Sequence, residues 1–239
     1  MIRRALGAAA LVALLAACSK GPGHAAPTTL PPTTRVPAPI TPTGVVDTVR
    51  TWVAAIQQEA DAQAWAVLGP RTQALIGARD NYAGVKDELE TLYGKFGKVS
   101  ATYDGLPVAD GLAVVVIHNA RKNGSSASAA VPMVAVGGTW RAEPFLDTGR
   151  YRPVPEDETE IAPLPDLSVV VGPDTSVQVW VDEQPAEVRA AEQTGIDEQE
   201  YAYTPATGLR PGWHLVTYVF RKGDAIAART VQYRVPKPK

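Results

Sequence analysis

The sequence has one cysteine, three histidines and two methionines in 239 residues, of which two, His118 and His214, stand 96 positions apart and the third, His24, lies near the N-terminus. A lone thiol excludes an internal disulfide, a cysteine-rich zinc site and an iron–sulfur cluster. Basic excess is also missing. The 23 Lys and Arg are offset by 25 Asp and Glu, a formal charge of −2, so little is available to displace counterions from phosphate and no nucleic-acid partner is expected. No HxH, HExxH or CxxC spacing surrounds either later histidine, and no GxSxG elbow, SxxK pair, phosphate loop, GxGxxG fingerprint or calcium loop occurs. No metal and no cofactor is therefore expected. What the chain does have is 45% hydrophobic content with 5 Trp and 8 Tyr, enough for two small folded domains.

The N-terminus carries the most specific signal. Arg3 and Arg4 precede a short apolar run, Ala5 to Leu15, and the run ends in Leu15-Ala16-Ala17-Cys18. It is too short for a stable membrane span, which needs about 20 apolar residues. The ending resembles the lipobox of bacterial lipoproteins, and the only cysteine of the chain stands at its last position. That resemblance implies diacylglyceryl transfer to the Cys18 thiol, removal of residues 1–17 as a signal peptide, and retention on the outer side of a cell membrane by acyl chains. Residues 18–42 then read as a stalk. Ser19 to Thr43 holds seven Pro and six Thr in 25 residues, a composition that stays extended and solvated, with a reach of roughly 75 Å in polyproline geometry.

Beyond the stalk the pattern becomes periodic. Thr41-Pro42 reads as a helix start, and Val45, Val49, Trp52, Val53, Ile56 and Ala60 recur at helical spacing. Asp61, Pro70 and Asn81 each open a further helical stretch, the second stopped at Gly77 and the third near Gly94. The period then falls to two at Val99, Ala101 and Tyr103. Leu112 to Ile117 is a continuous apolar run, as expected of a strand covered on both faces. Turns at Asn123-Gly124 and Gly137-Gly138 bound two more strands. The stretch TWVAAIQQEADAQAWAVLGPRTQALIG, followed by strands closing in GTWRAEPFL, resembles the nuclear-transport-factor-two-like (cystatin-like cone) superfamily. That resemblance implies, for residues 43–147, an α+β cone-like domain in which helices pack on a curved antiparallel sheet and enclose a pocket.

Residues 148–165, with four prolines around an acidic run Glu156–Glu160, read as a solvated linker. From Leu167 on, six short strands alternate with Gly, Pro and Asp turns, the pattern of a small all-β sandwich over 166–236. LRPGWHLVTYVFRKGDAIAARTVQYRV resembles the end of bacterial immunoglobulin-like domains, without the disulfide of antibody domains.

Candidate site residues are few. His118 ends the apolar strand, and Asp104 is the nearest carboxylate in sequence to orient it for proton transfer. Trp65, Tyr82, Tyr93 and Trp140 offer rings that can line a ligand pocket or fill a core. Trp213-His214 can stack on sugar or pack at a strand start. These features lead to the expectation of a membrane-anchored extracytoplasmic lipoprotein that binds or scaffolds in the envelope, with an envelope protein or wall polymer as partner and no catalytic residue. The alternative is an enzyme or small-ligand binder using the cone pocket. A transporter's substrate receptor is not expected, because no repeated βαβ lobes occur.

Overall fold

The computed structural model describes residues 42–145, 149–191 and 197–238. The lipobox expected at Cys18, the stalk expected up to Thr41 and the helix cap expected at Thr41 lie outside the described residues. A short helical region comes first: α1 (Pro42–Gln57), α2 (Asp61–Val67), α3 (Pro70–Ile76), a 3-10 turn (Arg79–Gly84), and then α4 (Lys86–Leu89), a π-turn (Glu90–Gly94) and α5 (Lys95–Gly97). The apolar stripe of α1 is buried from Val45 to Ile56. Asp61 stands in the first turn of α2 and makes no cap; Ala60 holds that position. Gly77 ends α3 at a φ of +88°, a conformation glycine adopts without strain. Leu75 in α3 is exposed.

Three antiparallel four-stranded sheets follow. The first is a meander of β1 (Thr102–Ala109), β2 (Leu112–Ala120), β3 (Ser126–Val136) and β4 (Thr139–Ala142). The second runs in the order β5 (Tyr151–Val154), β6 (Leu167–Val171), β10 (Gln199–Thr204), β9 (Glu187–Ala190). The third runs β12 (Ala225–Val235), β11 (Gly212–Lys222), β7 (Ser176–Val181), β8 (Gln184–Pro185). The second and third sheets enclose one core, in which Val169, Val171, Val179, Tyr203, Tyr218 and Tyr233 are all buried, so this part is a β-sandwich of eight strands.

The two additional strands were hidden for physical reasons. β8 is two residues long, and β5 reads Tyr-Arg-Pro-Val inside the stretch taken as linker. A proline is tolerated there because β5 is an edge strand, where a ladder donor can be missing. The acidic run is also bound to the sandwich. Glu158 N donates to the Gln232 carbonyl at 2.7 Å, Ile161 N donates to the Arg234 carbonyl at 2.9 Å, and Arg234 N returns a bond to Thr159 O at 3.0 Å. The run lies along the outer edge of β12 and occupies backbone groups that an open edge would expose.

β2 explains how the layers stack. Its alternate residues Ala113, Val115 and Ile117 belong to the core shared with α1, whereas Val114 and Val116 cluster with Trp180, Val219 and Ile226 of the third sheet. The continuous apolar run is thus covered on both faces, by helices on one and by a sheet on the other. At about 1.5–3 kcal/mol for each large buried side chain, this second contact is a core in its own right. Polar bonds frame it: Gln232 accepts from Ser126 N at 2.7 Å and donates to Ser126 O at 2.5 Å, and the hydroxyls of Ser128 and Thr230 meet at 3.0 Å. Among the described residues no helix is long and apolar enough to cross a membrane.

Candidate functional site

The six residues proposed for a pocket divide between the two faces of the first sheet. Tyr82, Tyr93 and Trp140 are buried and Trp65 is half-buried, all in the helical core. Tyr93 packs on Trp52 with ring centroids 5.0 Å apart, and Trp65 meets Tyr82 edge-on at 6.0 Å. Burial pushes the Tyr82 and Tyr93 phenols up to about 12, so both stay neutral and packed. The interior between the helices and the first sheet is filled by these rings together with Trp52, Phe96, Leu89 and Met133. Trp140 also borders a pocket of about 210 Å³ beneath the β1–β2 hairpin.

His118 and Asp104 sit elsewhere. Asp104 pairs in register with Val116, and His118 with Thr102, so strand parity puts both side chains on the Val114–Val116 face, toward the third sheet and away from the helices. His118 Nε2 lies 2.8 Å from Asp104 Oδ2. The expected pair therefore forms, but not on the helix-covered face of the first sheet. Parity alone could not assign the face, because both faces of β2 are apolar.

Sequence reading missed the third member of this cluster. Glu183 lies in the two-residue turn between β7 and β8, and one ligand atom each from Asp104, His118 and Glu183 falls within 4.8 Å of the other two. Asp182 and Glu183 have φ of +47° and +66°, the left-handed geometry of a tight hairpin that usually selects Asn-Gly. Asp182 fixes the turn: its Oδ1 accepts from Leu215 N at 2.9 Å and its Oδ2 meets His214 Nδ1 at 2.6 Å. Burial first, and then the Asp104 charge, raise the pKa of the Glu183 carboxyl. No signal in the sequence joins Glu183 to residues 65 and more positions away, since only the packing of sheet on sheet does so.

His214 is buried and has an acceptor at each ring nitrogen, Asp182 at Nδ1 and the Arg210 carbonyl at Nε2, each 2.6 Å away. Two acceptors favour the doubly protonated ring, and the Asp182 bond is the main cause of its raised pKa. Trp213 beside it is half-buried at the start of β11 and stands close to Gly124. A histidine pKa raised on folding stabilises fully below the unfolded value of about 6.5, and that stability is lost as pH rises through the folded value. The stability difference between wild type and His214→Gln is accordingly expected to shrink as pH rises above the unfolded value of about 6.5, as read by urea denaturation at each pH; a difference independent of pH would remove the charged ring.

A larger concavity opens where α5, β3, β5 and β12 converge. It is a cleft of about 1710 Å³ whose lining includes Lys95, Arg150, Tyr151, Arg152, Lys222 and Arg229. Tyr151 is 38% exposed, its ring centroid 5.3 Å from that of Phe220 and 5.9 Å from the Arg229 guanidinium. Arg150, Arg152 and Lys222 make no ion pair among the described residues. Acids are present at Glu88, Asp197 and Glu198, yet the Tyr151 wall is cationic.

No protein-family model and no curated protein matches the sequence. Among solved structures, that of PcoC, a methionine-rich copper resistance protein from Escherichia coli, resembles 39% of this chain over 99% of its own length, with 15% identity and a TM-score of 0.27. The selenomethionine form of PcoC covers 38% of this chain and 99% of its own, with 12% identity and a TM-score of 0.26. Likenesses this slight carry no argument about the chemistry of the present chain.

Proposed function

We propose that the chain is a bacterial lipoprotein, tethered through a diacylglyceryl group on Cys18 and a Pro/Thr-rich stalk, that binds an anionic wall polymer on the extracytoplasmic side of the cell membrane. In this reading the helices with β1–β4 are a nuclear-transport-factor-two-like module and the eight-stranded sandwich is immunoglobulin-like. Its role is binding, with no catalytic step assigned. The carrying observation is the cleft: a partly exposed tyrosine ring beside the Arg229 guanidinium, in a cleft also lined by Arg150 and Arg152, offers a sugar face a platform and an acidic substituent its counter-charge. The alternative, a catalytic or ligand pocket inside the cone-like layer, meets an interior filled with aromatic side chains.

Cosedimentation of the full-length protein with isolated wall sacculi tests the reading. Arg150 and Arg152 are both exposed, so the double variant Arg150→Glu/Arg152→Glu should fold normally. It is expected to lose about tenfold or more in binding, and wild-type binding should weaken as salt rises. Equal sedimentation of both proteins would refute the assignment of the cleft.

A further inference from the structure

The cluster between the first and third sheets supports a site that the cleft does not use. Three donors arrive there from three separate elements: Asp104 from β1, His118 from β2 and Glu183 from the β7–β8 turn, with their ligand atoms mutually within 4.8 Å. Two carboxylates face one imidazole, an excess of negative charge in a setting where Asp104 and His118 are half-buried. Glu183 has no hydrogen-bond or ion-pair partner among the described residues. It is nonetheless held close to Asp104 by a turn that Asp182 pins to Leu215 and His214.

We propose that Asp104, His118 and Glu183 bind one divalent first-row transition ion of the zinc class. One imidazole nitrogen with two carboxylate oxygens is a borderline donor set that suits such ions, whereas calcium and magnesium take oxygen ligands throughout and soft cuprous ions take sulfur. Small rotamer changes close the three atoms to bonds of about 2.0–2.2 Å. The Nε2 that now contacts Asp104 becomes a metal ligand, and any proton on it leaves to solvent. Three protein ligands leave a fourth position for water or an incoming group. Because the ligands come from both sheets, the ion fastens the first sheet to the third and stabilises the fold by its binding energy.

The test is zinc titration of the full-length protein by calorimetry, with thermal melting and cobalt absorption in the visible as parallel readouts. Glu183→Gln is the decisive variant, since Glu183 is exposed in a turn and its side chain packs in no core. Zinc held elsewhere, at Cys18 or His24, is the same in both proteins and cancels in the comparison. Expected are one zinc equivalent that Glu183→Gln weakens at least about tenfold, a higher melting temperature with zinc in wild type only, and a cobalt spectrum lost in Glu183→Gln and in His118→Ala. Zinc binding unchanged in both variants overturns the proposal, as does no zinc-dependent stabilisation of wild type at about 100 μM ion, a concentration at which a site with a micromolar constant would add a few kcal/mol.

Discussion

Replacing Ile226 by aspartate should destabilise the whole folded unit by about 4 kcal/mol or more, a large share of the 5–15 kcal/mol that holds a typical protein folded. Ile226 is 1% exposed and lies in the cluster that joins Val114 and Val116 of the first sheet to Trp180 and Val219 of the third. A carboxylate placed there has no partner and cannot reach water. The effect should extend beyond the sandwich. If the sheet-to-sheet core unites the layers, the helical layer and the sandwich melt in one transition in wild type and fall together in the variant. Calorimetry with near-ultraviolet dichroism reads this directly. Two transitions in wild type, with only one displaced by Ile226→Asp, would mean that residues 143–150, between β4 and β5, join independent bodies.

The second large effect is expected at Glu143. This side chain is 2% exposed, and its two oxygens accept from the Arg71 and Thr72 amides at 3.2 and 2.7 Å. Those amides open α3, where backbone donors have no partner in the helix. The carboxylate also meets the favourable end of the helix dipole. Glu143→Ala should cost about 2–4 kcal/mol, because two charge-assisted bonds are lost and buried donors are left unpaired. Gly69 makes the arrangement possible. A Cβ there would come within 2.1 Å of Glu143 Oε1, so Gly69→Ala should cost about 1–3 kcal/mol through overpacking. In Gly69→Ala/Glu143→Ala the two costs should be less than additive, since the truncated side chain removes the clash. Urea denaturation of the four proteins checks this, and strict additivity would show that Gly69 matters for another reason.

Much of this fold was legible because its elements are locally consistent. The α1 stripe, the glycine stop after α3, the paired turns of the first sheet and the long β11–β12 hairpin all follow from spacing and turn chemistry. The unbroken run in β2 even indicated burial on both faces, although it gave no hint of what lies on the second. Local pattern fails where contacts are made between layers. Glu143 looks like an ordinary surface carboxylate after a strand until α3 is seen to start against it. Glu183 is an unremarked turn residue until the third sheet folds over the first. β5 was masked by its proline, and the acidic run by a composition that describes solvated linkers as well as an edge cover. The candidate site was therefore half readable: Asp104 and His118 do lie together, but the face they share and the nearby Glu183 come only from tertiary packing.

The tethering proposed at Cys18 would set where this chemistry takes place, and fractionation of the producing cells tests it most directly. The wild-type chain should be recovered with membranes, partition into detergent, and give a mature mass that begins at Cys18 and includes the added lipid. Cys18→Ala should leave the membrane-bound, lipid-modified pool. A wild-type chain found soluble, unmodified and still carrying residues 1–17 would contradict both the anchor and the envelope function assigned through it.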